Sequence, residues 1–188
     1  MSPLLKKNGD ISILPFIIKN EVNFLPSIFF YKLKNLITSN SFPWYFQSGT
    51  IPSLRKESKN NFMFTHTLYR YGQGKASNWA ETFEPIIYFI DQKYKVKELL
   101  RMKLNLYTNQ HKKIKHGLHY DFDEKGVPAK NVKIGLFNFV TCDGGTNINN
   151  KIYSSSENEL LIFSNDLKHH GITQTDLPTR IVLNIAWK

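Results

Sequence analysis

The last nine residues, Arg180-Ile-Val-Leu-Asn-Ile-Ala-Trp-Lys188, alternate without a break. That period of two restricts what the segment can become. Side chains on an extended strand point to opposite faces in turn. Ile181, Leu183, Ile185 and Trp187 therefore share one face, and Arg180, Val182, Asn184 and Ala186 share the other. Arg101 to Tyr107 repeats the pattern, with Met102, Leu104 and Leu106 on an apolar face and Asn105 and Tyr107 opposite. In a half-buried strand of an open sheet the polar face meets water. In a barrel or jelly roll that encloses a ligand the same face lines the cavity.

Between these two strands lies His119-Tyr120-Asp121, followed fifty residues later by His169. On a strand, His119 and Asp121 point the same way while Leu118, Tyr120 and Phe122 point the other. An H-x-D pair alone is common by chance. Joined by a distant histidine, it gives two imidazoles and one carboxylate, a set that occupies one face of a metal and leaves the opposite positions open. Non-haem Fe(II) oxygenases use that arrangement to admit a co-substrate and O₂.

The rest of the chain supports a compact fold. Apolar spacing over Pro26 to Thr38, at Ile28, Tyr31 and Leu36 among others, predicts a helix. Pro85 is placed to open a second, running to about Leu100. Gly49 to Asn61 is polar and reads as a loop, so the first hundred residues are expected to be helical and irregular. The strands expected after them are Arg101 to Thr108, Gly117 to Phe122, Val132 to Thr141, a short piece after Thr146, Glu159 to Phe163, and Arg180 to Trp187. Ser154-Ser-Ser156 reads as a turn. With 188 residues and 41% hydrophobic content the chain can bury one core, and nothing in its length divides it. No apolar run is long enough for a bilayer, and the N-terminus lacks the pattern of a secretory signal, so the expected setting is the cytoplasm. The single cysteine, Cys142, has no partner for an internal disulfide; ahead of Asp143-Gly144-Gly145 it is expected in a hairpin turn.

Several stretches together resemble the 2-oxoglutarate and Fe(II)-dependent oxygenases, in particular their prolyl-hydroxylase-like branch and its small members from marine phages and bacteria. They are Phe42-Pro-Trp-Tyr-Phe46, Phe64-Thr-His-Thr-Leu-Tyr69, Arg101 to Tyr107, His116-Gly-Leu-His-Tyr-Asp121, Gly144-Gly-Thr146, and Leu167-Lys-His-His-Gly171 through Arg180-Ile-Val-Leu-Asn-Ile185. The resemblance implies a mainly β fold with N-terminal helices, a distorted double-stranded β-helix of the jelly-roll, cupin-like kind flanked by helices. One domain would span 1–188, with helical support over 1–100 and the β-helix core over 101–188. It implies that His119, Asp121 and His169 hold Fe(II), His169 rather than His170 matching the family's second histidine. It also implies that Arg180 grips the distal carboxylate of 2-oxoglutarate, with Tyr107 and Asn105, and more weakly Asn184, as hydrogen-bonding helpers, and that O₂ is the oxidant. A planar guanidinium can take a carboxylate through two parallel bonds, which a lysine cannot copy. His66 is ambiguous, more often a satisfied structural histidine than a ligand but with a substrate-facing role open to it, and His111 and His116 read as surface or supporting residues.

The formal charge of +10 raises the question of a nucleic-acid partner, and Lys112, Lys113 and Lys115 stand just before the proposed metal segment. Lysines spread over a solvated surface account for the charge more simply. The aromatic content of 14% fits stacking platforms for bases, yet most of these rings lie in apolar runs such as Ile86-Ile-Tyr-Phe-Ile90, where burial explains them. The expected substrate is a protein or peptide side chain, hydroxylated as 2-oxoglutarate is converted to succinate and CO₂. The alternatives are a nucleic-acid or small-molecule substrate, or a cupin-like binding protein without catalysis.

Overall fold

The structure, a computed structural model, describes residues 19–50 and 61–188. Its elements in chain order are β1 (Lys19–Glu21), α1 (Ser27–Ile37), β2 (Tyr45–Gln47), β3 (Met63–Arg70), β4 (Gly74–Lys75), α2 (Ala80–Tyr94), β5 (Leu99–Thr108), β6 (Asp123–Glu124), β7 (Val127–Pro128), β8 (Lys133–Asn138), β9 (Cys142–Ile148), β10 (Lys151–Ser155), β11 (Glu159–Ser164), β12 (His169–Ile172) and β13 (Thr179–Trp187). The large sheet runs β1-β11-β8-β13-β5-β3-β2, with β4 added to β3. The small sheet runs β10-β9-β12. Beyond β12, the segment around residues 115–119 joins through single bridges, Lys115 to Ile172 and His119 to His169. Two facing antiparallel sheets that exchange strands in this order make a double-stranded β-helix.

The alternating C-terminal strand sits in the middle of the large sheet. β13 pairs with β5 on one side and β8 on the other, Arg180 lying opposite Tyr107 and Asn184 opposite Lys103. Its apolar face, Ile181, Leu183, Ile185 and Trp187, is fully buried in the main core. The two helices cover that face. α1 contributes Phe30, Leu33 and Ile37, and α2 contributes Phe83, Ile86 and Ile90, each row spaced to fall on one side of its helix. Burying one such side chain is worth roughly 1.5–3 kcal/mol, so the stripe fixes which face of β13 looks inward. The opposite face therefore meets the small sheet. There Val182 and Ala186 join a second core with Leu136, Ile148 and Phe163, while Arg180 and Asn184 are left to line a cavity.

Several local expectations differ from what forms. Ile28 and Tyr31 are exposed, and the buried stripe of α1 is displaced to Phe30, Leu33 and Ile37. α2 starts at Ala80, so Pro85 lies inside it, and it stops at Tyr94 because Lys95 takes a left-handed conformation, φ 54°. The first hundred residues also carry the sheet strands β1 to β4 and the start of β5, so they are not only helical and irregular. The expected strand Gly117 to Phe122 is reduced to one bridge at His119, and Val132 to Thr141 shortens to β8. Cys142 opens β9 rather than sitting in a turn. The hairpin lies at Asn149-Asn150, where φ angles of 48° and 64° suit the two-residue loop closed by Ile148 and Lys151. Ser154 and Ser155 extend β10 rather than turning. Residues 51–60, most of the expected Gly49 to Asn61 loop, and the N-terminal stretch 1–18 lie outside the described residues. Among those described, no helix is long and apolar enough to cross a membrane.

Candidate active site

His119 and His169 face each other across the edge of the small sheet, exchanging both backbone hydrogen bonds at 3.0 Å. Their rings lie 4.5 Å apart. In each, Nδ1 is held by the backbone carbonyl two residues earlier, Gly117 O at 3.0 Å and Leu167 O at 3.3 Å. A carbonyl can only accept, so each Nδ1 carries the proton and each Nε2 keeps its lone pair. Both Nε2 atoms approach Asp121. That of His169 is 3.4 Å from Oδ2, and that of His119 is 4.0 Å from Oδ1. One ligand atom from each of the three residues falls within 4.8 Å of the others. Two imidazole nitrogens with free lone pairs and one carboxylate oxygen, converging in this way, are a donor set suited to Fe(II). Two-residue spacing on a regular strand does not produce this convergence, since His119 and Asp121 lie in irregular backbone; the pairing of His119 with His169 supplies it.

Asp121 is anchored from the large sheet. Arg101 Nη2 donates to its Oδ1 at 2.5 Å, and Asn184 Nδ2 donates to its Oδ2 at 3.1 Å. Arg101 also donates to Asn184 Oδ1 at 2.8 Å, closing the network. Burial pushes the Asp121 carboxyl upward, but Arg101 together with His169 and His119 outweighs it and holds the group well below the usual carboxylate range. Burial also lowers His119, with Asp121 opposing, which favours the neutral ligand form. Arg101 was not among the residues expected here, and Asn184, on the β13 face it shares with Arg180, bonds to Asp121. The signal for Arg101 was present in the sequence: it shares the period-two face of Asn105 and Tyr107.

The other end of the cavity is built around Arg180, only 2% exposed. Its guanidinium lies 5.6 Å from the Tyr107 ring and donates to Thr146 Oγ1 at 3.3 Å, while its Nε has no partner. Among the described residues no carboxylate pairs with it. Gly144 makes room for its stem, because a Cβ there would come 3.1 Å from Arg180 Cδ and 2.9 Å from the Ile172 carbonyl. Asn105 Oδ1 is buried without a partner. His116 was expected at the surface or in a supporting place; it is buried, its ring 4.9 Å from Tyr107 and its Nε2 unpaired. Burial, then the charge of Arg180, lowers it to about 3. Arg180, Tyr107, Asn105, His116 and the three clustered residues all line one cavity of about 620 Å³.

The remaining histidines separate cleanly. His66 is buried with both ring nitrogens engaged, by Pro43 O at 2.7 Å and Ser77 Oγ at 2.6 Å. His111 is exposed. His170 is not part of the cluster that His169 joins.

No family model matches the sequence, and no curated protein matches it. Solved structures do match. An oxidoreductase of the 2OG-Fe(II) oxygenase family from Burkholderia pseudomallei aligns with a TM-score of 0.64 over 93% of this chain and 86% of its own, at 10% identity. The fold is that of the 2-oxoglutarate–Fe(II) oxygenases. A prolyl-4-hydroxylase from Pseudomonas putida aligns at 0.59 over 92% and 91%, with 11% identity. A Trichoplax adhaerens prolyl hydroxylase, solved with a hypoxia inducible factor peptide fragment, aligns at 0.56 over 90% and 82%, with 15% identity. Within this oxygenase fold the cavity lies between the two sheets of the β-helix, and β13 runs along its wall.

Proposed function

We propose that this chain is an Fe(II)- and 2-oxoglutarate-dependent oxygenase that hydroxylates a side chain of a protein or peptide. The observation that carries the reading is Arg180, a buried guanidinium with no carboxylate partner, lining the same cavity as the His119, Asp121 and His169 cluster. A buried, uncompensated charge costs several kcal/mol unless an anion meets it, and a dicarboxylic acid supplies one. His119, Asp121 and His169 would hold the iron. Bound there, it supplies oxygen activation coupled to decarboxylation of 2-oxoglutarate to succinate and CO₂.

The chain's own residues bind and orient. Arg180 takes the far carboxylate of the co-substrate, against the ring of Tyr107 and beside Thr146. Asn105, with its free acceptor, lies between that anchor and the metal ligands. Arg101 and Asn184 keep Asp121 ionised and aimed. A peptide substrate is favoured by the prolyl hydroxylases among the structural neighbours, one of them solved with a peptide. The test is succinate formation by iron-loaded protein given 2-oxoglutarate and, separately, proline-containing peptides, methylated single-stranded oligonucleotides and free amino acids. Turnover above the uncoupled background with peptides is expected. Turnover with oligonucleotides alone contradicts the peptide substrate and leaves the oxygenase reading standing.

A further inference from the structure

The polar face of β5 runs Arg101, Lys103, Asn105, Tyr107 along the cavity wall. Arg101 is satisfied by Asp121 and Asn184. Tyr107 packs with Arg180 at the co-substrate end. Lys103 is different. It lines the cavity beside the metal cluster, directly across from Asn184 on β13 and from Thr67 on β3. Being on an interior strand, it cannot swing clear of the wall as an edge lysine can. Among the described residues it forms neither a hydrogen bond nor an ion pair. Its nearest charges are mostly of its own sign: burial, Arg101 and Arg70 lower it to about 8, with Asp121 opposing.

The acids nearby do not balance it. Asp121 is committed to Arg101 and to the metal site, and Asp123, further along the cavity lining, is exposed. A bound metal dication would add positive charge beside Lys103, and a dicarboxylate held on Arg180 would return about as much negative charge. Lys103 then remains unmatched. Four residues of strand, roughly 13 Å, separate its position from that of Tyr107, so the two cations serve opposite ends of the cavity. We infer that Lys103 is an anion-binding subsite for the prime substrate, which therefore carries a carboxylate next to the carbon that reacts. A single ammonium is a point charge that suits one negative charge, whereas phosphate recognition draws on several donors at once.

The inference rests on the oxygenase reading and deepens it. The probe is a set of N-acetyl amino acids and short peptides, each as free acid and as C-terminal amide, titrated calorimetrically into zinc-loaded protein saturated with 2-oxoglutarate. The acids are expected to bind about tenfold tighter than the amides or more, the effect of one charge-assisted hydrogen bond. Lys103→Met should erase that preference and Lys103→Arg should keep most of it, with 2-oxoglutarate affinity within about twofold of wild type in both. Whether the preference appears with the amino acids or with the peptides identifies the source of the carboxylate. Equal binding of acid and amide to the wild-type protein overturns the inference, as does a preference that survives Lys103→Met. A loss of 2-oxoglutarate affinity in Lys103→Met as large as in Arg180→Ala also overturns it, by assigning Lys103 to the co-substrate. Failure of the wild-type protein to bind zinc or 2-oxoglutarate contradicts the oxygenase reading instead.

Discussion

Arg101 and Asp121 meet at 2.5 Å, joining a residue of the large sheet to the carboxylate of the His119, Asp121 and His169 cluster, which is carried on irregular backbone outside it. Without the guanidinium, the carboxylate loses the largest of the influences that offset its burial and one of its two large-sheet anchors. Arg101→Gln is therefore expected to weaken metal binding by roughly 10- to 100-fold, the usual cost of losing a group that orients a ligand. Asn184→Ala, which removes the other anchor, should lie toward the small end of that range. Competition with a chelator, using Co(II) or zinc, measures both. Unchanged affinity in Arg101→Gln would show that Asp121 is held in place without it.

Arg180→Ala should lower 2-oxoglutarate affinity by about 2–3 kcal/mol, roughly 30- to 150-fold, because a charge-assisted bidentate contact is lost in a buried setting. Arg180→Lys restores the charge but not the fork, and only part of the affinity. Calorimetric titration of the zinc-loaded variants with 2-oxoglutarate reads both effects. An alanine variant that binds like wild type would place the anchor elsewhere.

Neighbouring histidines on β12 should behave oppositely. His169 joins the cluster with His119 and Asp121 and His170 does not, so His169→Ala should lose metal-dependent turnover and His170→Ala should retain most of it. The reverse outcome would shift the register of β12 by one residue and turn its faces over.

The sequence disclosed what depends on periodicity. Ile181 to Trp187 read as a strand with a buried apolar face, and that face is the centre of the core. Residues that depend on one strand meeting another were harder to see. The His119 and Asp121 segment reads as a strand because it alternates, yet it binds the small sheet by single bridges; its geometry is set by His169, fifty residues away. Arg101 lay on the correct face of β5, but nothing local indicates that Asp121 comes within its reach. His116 reads as a surface or supporting residue beside a run of lysines. It is buried because Gly171, across the sheet, has no side chain: a Cβ there would stand 2.9 Å from His116 Nδ1. Pro85 as a helix start and Cys142 as a turn both failed where a local preference yielded to packing on either side.

His116 should also mark the acid limb of stability. In the folded chain burial keeps it neutral down to about pH 3, whereas the ordinary value is 6.5. The unfolded chain thus binds the extra proton between these values. Stability is fully present above about pH 6.5 and falls as pH drops, by up to about 1.4 kcal/mol per pH unit from this group alone. His116→Gln removes that proton. Urea unfolding at pH 7, 6 and 5 should show wild type losing stability more steeply than the variant. Parallel losses would mean that His116 titrates alike folded and unfolded.

Anomalous diffraction at the iron edge would locate the metal and show whether His119, Asp121 and His169 hold iron in a cavity whose other end is the Arg180 anchor. The crystal would be grown without oxygen in the presence of Fe(II) and 2-oxoglutarate. One anomalous peak per chain is expected, within coordination distance of His119 Nε2, an Asp121 oxygen and His169 Nε2, with the distal carboxylate of the co-substrate on Arg180. Iron bound away from these three residues, or a co-substrate that leaves Arg180 without a partner, would contradict it.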